Sequence, residues 1–579
     1  MDFQSLSTFY FGRRNIGVRL RLGSFFAGLL FAFLTIVIHG ANLFGSWRWD
    51  DGVHMAYANA FSPLQYFFEP EVTRLQSGAN VSPWNAFFYD INLNLFGMHP
   101  AGHYGHMLLV LWLAACLFYL LLRNWLPPLS AFIGVVVFLL GKPTLHIAAG
   151  LMHGHYATGL LFSFLTLLGW VNHFQRGGRL WLPVSAFAYL LAVACKEIYV
   201  PLVIILPFIP VASWRQRVRF WAPYVSIAVF YVAWRYMVLG RLLGGYERNK
   251  FSYEAAVEQF LNIPYFLFGV IPGFLFFIPF FFFFYVAARR RKIDWLLCFI
   301  GAVITLLPLI PLTSFPGIHQ ADRYLFGPWI AFSALVATLV PRDMRSGDGE
   351  TFAICILVCS MLASHWQGRK ELSGQITYWD RLYDAALSLD TERQALFIGD
   401  DDGYKRMVLG EARRLSDLLK NRQNTPQLLI IDKNAQFLHH AIVNAMEIME
   451  FREGGVRPME EVRIKEIFPY FFQNEDFNLA NEKFLGIDMV LRDGVILWKF
   501  TPESVEYYVS IRNLGALKGF TEIIKVPDKG QASWSYGKIQ ISFCHVVDRS
   551  VKQYCSPALD FDFEKNKNQS WSGMGHLTP

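Results

Sequence analysis

The chain has 579 residues, of which 54% are hydrophobic, 17% aromatic and only 17% charged. Soluble globular chains carry about 25% charged residues, so this deficit, with 54 Phe and 17 Trp, points to lipid as the solvent. The formal charge of +7 does not describe a nucleic-acid groove, because most Lys and Arg of the first two-thirds stand in short clusters between apolar runs, as membrane topology is encoded.

A span needs about 20 mostly apolar residues, and about eleven candidates begin near Leu22, Gly105, Leu129, Tyr156, Trp181, Ile198, Phe220, Phe260, Ile293, Leu325 and Thr351. The first is too long for a cleaved signal and lacks a small-residue cleavage pattern, so it is expected to be retained. The sixth carries Pro201, Pro207 and Pro210 and is expected to be broken. Cationic clusters set the orientation. Arg13, Arg14, Arg19 and Arg21, then Arg123, Arg176 with Arg179, Arg215 to Arg219, Arg289 to Lys292, and Arg342 with Arg345 all fall on one side, which is therefore cytoplasmic. The N-terminus is expected inside and the tail outside. Arg241, Arg248 and Lys250 dissent, lying outside, and would meet something anionic there unless a span is miscounted. Residues 1–366 thus read as a polytopic α-helical membrane module with a long external loop over 44–103, and 367–579 as an extracytoplasmic soluble α/β domain.

The α/β expectation rests on strands at 395–399 and 427–431 alternating with helices at 404–420 and 435–449. A hairpin is expected around Asp493-Gly494 and a further strand over 538–547. Asp400, Asp401 and Asp402 read as a solvated turn and helix cap, or as a divalent-cation site; no metal ligand set is assigned. Cys544 and Cys555 stand in the polar tail and could pair if the tail is outside the cytoplasm.

The polar motifs converge on the external face: Trp49-Asp50-Asp51-Gly52 in the long loop, His146 to His155, Cys195-Lys196-Glu197, and His319 through Tyr324. The opposite face shows little beyond anchoring Arg. Charges at a membrane boundary are costly, so this asymmetry points to an extracytoplasmic site.

At these residues the chain resembles the C-type (GT-C) glycosyltransferases, closest to the O-mannosyltransferase-like branch usually fused to tetratricopeptide repeats. Trp49-Asp50-Asp51-Gly52-Val53 resembles the acidic pair opening that family's first external loop. Leu95-Phe96-Gly97-Met98-His99-Pro100-Ala101-Gly102-His103 is similar to its LFG-x-x-P-x-GH stretch. Pro83 fits a preceding His-Pro segment, with Ser82 in place of His. Cys195-Lys196-Glu197 and Ala321-Asp322-Arg323-Tyr324 resemble two later motifs. Order and spacing agree over roughly 49–331. Two features depart: His146-Ile147-Ala148 stands where the family commonly has His-x-Glu, and the repeats are absent.

The resemblance implies transfer of a sugar from a polyprenyl-phosphate carrier to an acceptor hydroxyl on a glycan, lipid or protein. Such chemistry needs a carboxylate base for the hydroxyl proton and cations for the departing phosphate. Asp50 or Asp51 is expected as base, and Lys196 and Arg323 as phosphate ligands. His103, His146, Glu197, His319, Asp322 and Tyr324 are candidate substrate contacts. The plainer readings are a helix cap for Asp50-Asp51, span-end ion pairing for Lys196-Glu197, a structural ion network for Asp322-Arg323, and hydrogen-bonded interfacial histidines, His153 and His155 included. No cofactor is certain and a divalent cation is an open option. A polyprenyl-lipid transporter or flippase would instead place charges mid-span with symmetry between halves; a non-catalytic assembly protein would tolerate loss of both Asp. A bacterial inner membrane suits the chain, with the endoplasmic reticulum as alternative.

Overall fold

The computed structural model describes residues 18–77, 79–242, 323–340 and 348–388, with strands between 395 and 575 and helical positions between 408 and 419. The expected spans near Phe260 and Ile293, and His319, Asp322, Arg248, Lys250, Asp400 to Asp402, His439 and His440, lie outside the described residues.

The membrane bundle is built from α1 (Val18–His39), α6 (Pro100–Leu122), α7 (Pro128–Leu140), α9 (Gly154–Asn172), α10 (Trp181–Cys195), α12 (Trp214–Leu239), α13 (Phe326–Leu339) and the first part of α14 (Asp348–Ser388). Among the described residues, four helices are long and apolar enough to cross a membrane. A fifth span results if α7 and the following α8 (Lys142–Ala149), bent by 55°, are taken together. The chain is a helical integral membrane protein: Phe25, Phe26 and Phe33 of α1 are each more than 60% exposed, as are Val229 and Phe230 of α12. Apolar side chains presented so openly need lipid around them. The segment expected as a broken sixth span is short and interrupted, with α11 (Leu202–Ile205) and a 3₁₀ turn over 206–208.

The stretch expected as an external loop is folded rather than loose. α2 (Asp51–Ala60), α3 (Pro63–Phe68), α4 (Pro70–Gln76) and α5 (Pro83–Phe96) pack against one another and against α6, α9, α10 and α12 at one end of the bundle. Proline at the first turn starts α3, α4, α5 and α6, where its missing N–H costs nothing and its fixed φ fits the helix. α5 ends at Gly97, whose φ of +55° suits a residue without a Cβ. Tyr66 and Tyr89 of this layer, and the neighbouring Trp47 and Tyr104, are fully buried.

α14 runs unbroken for 41 residues across position 366, so the boundary expected there falls inside a helix. In the tail, β1 (Ala395–Ile398) lies between β2 (Leu428–Ile431) and β3 (Glu447–Arg452), parallel to both, with β4 (Gly455–Pro458) antiparallel at the edge. The expected helix to Met449 is corrected at its end, where residues 447–449 open β3. Two antiparallel sheets follow, which an α/β reading does not anticipate. One orders β11 (Gln553–Cys555), β10 (Lys538–Val546), β7 (Glu506–Asn513) and β8 (Thr521–Val526), with β12 (Leu559–Asp562) also on β10. The other orders β13 (Asn568–Gly575), β5 (Leu485–Arg492), β6 (Val495–Thr501) and β9 (Lys529–Ser533). β5 and β6 pair antiparallel with Arg492 opposite Val495, as the hairpin expected there requires; Asp493 and Gly494 lie outside the described residues.

Candidate active site

The acid pair sits where the chain enters α2. Trp49 has φ +46°, a left-handed conformation that bulky residues avoid and that costs of order 1–3 kcal/mol. The strained turn sends the two neighbouring carboxylates to different fates. Asp51 is fully buried and satisfied: Oδ1 accepts from Tyr89 O–H at 2.5 Å and Oδ2 from the Arg48 N–H at 2.7 Å. Asp50 occupies the N-cap position of α2 yet makes no side-chain capping bond. Burial raises the Asp50 carboxyl to about 6, with Arg323 opposing that rise, and raises Asp51 to about 7. Helix capping therefore does not account for Asp50.

Arg48 braces the turn from beneath. Its guanidinium is almost wholly buried, forks onto Asp380 of α14 at 2.6 and 3.1 Å, donates to the Asn42 side chain at 3.1 Å and to Ala149 O at 2.6 Å, and lies over the Tyr104 ring. Tyr383, also on α14, donates to Trp49 O at 2.8 Å and accepts the Gly52 N–H at 3.0 Å.

Cations gather opposite. Arg323 Nη1 lies 3.1 Å from His153 Nε2, and His153 Nδ1 lies 3.0 Å from His146 O. A carbonyl can only accept, so Nδ1 carries the proton and Nε2 offers its lone pair to Arg323: a neutral His153 orients the guanidinium. Lys196, just past the end of α10, is buried with Nζ 5.6 Å from the Tyr156 ring centre. His155, in the first turn of α9, is buried, and neither ring nitrogen has a hydrogen-bond partner among the described residues. His54 stacks on Tyr89 near Asn85, and burial with the Lys196 charge lowers it to about 4, so it is neutral.

Beside this cluster a cavity of about 280 Å³ enters the bundle between α6, α9 and α13, walled by Phe118, Leu122, Phe164, Leu202 and Ile330. Tyr324, next to Arg323, and Ile198, two residues from Lys196, share its lining. The site thus places an apolar cavity near buried Lys196, half-buried Arg323 and the carboxylate of Asp50. Among the described residues no three His, Cys, Asp or Glu come together to hold a metal ion.

Several candidates fall elsewhere. His103 packs edge-on against Trp47 and pairs with Gly97 O at 2.9 Å, so it secures the end of α5. Glu197 Oε1 accepts from Arg235 at 2.5 Å, bracing the 3₁₀ turn after α10 against α12. His146 enters through its backbone carbonyl, and Tyr324 through the cavity wall. Trp47, just before the acid pair, is buried. Arg48, Tyr89, Asp380 and Tyr383 were not legible as site residues. Arg48 abuts the acid pair in sequence, but its partner Asp380 is 332 positions away.

No protein-family model matches the chain, and no curated protein matches it. Among solved structures, ArnT from Cupriavidus metallidurans in the apo state is similar with a TM-score of 0.44 and 16% identity, over 73% of this chain and 92% of that one. The same protein bound to undecaprenyl phosphate is similar with a TM-score of 0.40 and 14% identity, over the same shares.

Proposed function

We propose that this chain is a GT-C-type glycosyltransferase that moves a sugar from a polyprenyl-phosphate carrier to an acceptor hydroxyl on the extracytoplasmic face. The carrying observation is the joint placement of Asp50, which makes no helix-capping bond, with Arg323 and Lys196 beside an apolar cavity. A lipid-linked phosphate has these two halves: a tail for the cavity and an anion for the cations. Asp50 takes the proton of the acceptor hydroxyl as its oxygen attacks the anomeric carbon. The bond from that carbon to the phosphate oxygen breaks, and the electron pair leaves on the phosphate, held by Arg323 and Lys196. Attack opposite the leaving phosphate inverts the anomeric centre. Asp51 holds the turn rather than the proton. The resemblance of the motif order to the O-mannosyltransferase-like branch supports the donor class; the acceptor is a hydroxyl of a glycan, lipid or protein.

The test is transfer from a polyprenyl-phosphate sugar by the purified full-length chain, followed as released polyprenyl phosphate. Asp50→Asn should abolish release while polyprenyl phosphate still binds; an Asn variant as fast as wild type would overturn the reading. The outer ends of α6, α9 and α10 carry the site and their inner ends the Arg clusters, which supports a bacterial inner membrane with the tail periplasmic. An impermeant maleimide applied from outside should label Ser62→Cys and not Arg215→Cys; the reverse pattern would invert the orientation.

A further inference from the structure

The acid turn is closed by groups from the far end of the chain. Tyr383 and Asp380 lie three residues apart on one face of α14, past its apolar first part. The Tyr383 hydroxyl spans the Asp50-Asp51 dipeptide, donating to the carbonyl before it and accepting the N–H after it. Asp380 accepts the Ser46 N–H at 3.3 Å as well as the Arg48 fork, and the Arg48 N–H in turn binds Asp51. The tail adds a lid over the same spot. A Cβ on Gly52 would stand 2.0 Å from the carbonyl oxygen of Val408, so this segment rests directly on the turn's backbone.

We propose that Tyr383 and Asp380 are positioning residues that, with the tail segment at Val408, hold Trp49 in its left-handed conformation and so present Asp50. The inference rests on the role given to Asp50 above. Without the clamp, Trp49 relaxes to an ordinary φ, the following peptide turns over, and the Asp50 carboxylate swings away. Asp51 stays, since Tyr89 holds it from another element. The tail is therefore a working part of the site, although it brings no group to the reacting atoms.

A purely structural brace would alter unfolding and nothing else, so the test reads the turn itself. Full-length Tyr383→Phe, Asp380→Asn and Asp380→Ala proteins are compared by hydrogen exchange over residues 45–55 and by kcat and KM for the polyprenyl-phosphate sugar. Tyr383→Phe should speed exchange of the Gly52 amide about tenfold, the loss of one net hydrogen bond. It should lower kcat about tenfold and leave KM within about twofold, the signature of a misaligned base. Asp380→Asn, which keeps an acceptor for Arg48, should retain more turnover than Asp380→Ala. Unchanged exchange in Tyr383→Phe would overturn the clamp, and so would faster exchange with undiminished kcat. If the wild-type chain transfers no sugar, the enzyme reading falls by itself, and the exchange result alone decides the clamp.

Discussion

The acid turn and the cation cluster face each other across one site but are built on opposite plans. In the turn nearly every polar group is bonded: Arg48, Asp51, the Trp49 carbonyl and the Gly52 amide all have protein partners. On the cation side, His155 has two buried nitrogens without partners among the described residues, and Lys196 lies over an aromatic ring. Buried polar groups left so are expensive, typically about 1–3 kcal/mol each, and persist where something else satisfies them. The difference teaches a division of labour. One side spends its hydrogen bonds on holding a strained backbone; the other leaves those of His155 open, which suits the phosphate proposed above.

Asp50 gives the largest expected effect, because it is the exception on the bonded side. Asp50→Asn should cost about 10²–10⁴ in kcat, the usual worth of a general base. With the carboxyl near 6, wild-type kcat/KM should rise with pH to about 6 and level above it. The same shift carries a stability sign. Asp50 is raised in the fold above its ordinary 3.8, so its contribution to stability is full below pH 3.8 and is lost as pH rises through 6. Asp50→Asn should therefore melt higher than wild type at pH 8 and equally at pH 3.5; a lower melting point at pH 8 would contradict a half-buried, charged carboxylate that the fold desolvates.

Arg323→Ala tests whether the two sides speak to each other. Loss of a charged hydrogen-bond donor is worth about 1.5–3 kcal/mol, so donor KM and kcat should worsen together by about 10–100-fold. Arg323 also opposes the rise at Asp50, and its removal should move the acidic limb above 6. A limb that stays in place would separate the two groups. His155→Phe should be milder, about 3–10-fold in donor KM for one net hydrogen bond, with the limb unmoved. An unchanged KM would assign His155 to packing.

The smallest effect is expected far from both regions. Cys544 of β10 stands directly opposite Cys555 of β11. Opposed antiparallel residues have Cα atoms about 4.5–5.5 Å apart, inside the range a disulfide spans. In an oxidising compartment the pair should resist alkylation until reduced. Cys544→Ser should lower tail stability by up to about 3 kcal/mol without changing transfer. Full alkylation without reductant would remove the bridge.

Much of this comparison was legible in the chain and part was not. Asp50, Lys196 and Arg323, which the fold brings near one another, stood out because charge at the end of an apolar run is conspicuous. Helix starts in the external layer were written in Pro63, Pro70 and Pro83, although the stretch resembled a long loop because none of its helices is long enough to stand out. His103 looked functional because an interfacial histidine carries the same signal whether it meets a ligand or Gly97 O. Asp380 and Tyr383 were out of reach. They read as the polar face of an amphipathic helix, and nothing local shows that the face is turned toward a site made some 330 residues earlier. The beginning of β3 was misread because a run of mixed apolar residues at 435–449 satisfies helical spacing until its end pairs with β1.

That long separation has a consequence for the order in which the protein is born. The Tyr383 hydroxyl reaches back 334 residues to the Trp49 carbonyl. At roughly 5–20 residues per second, the acid turn emerges about 20–70 s before its clamp is synthesised. On the proposed role of Asp50, the site would be complete only once α14 has been laid against the turn, so a chain truncated before Asp380 should insert but transfer no sugar.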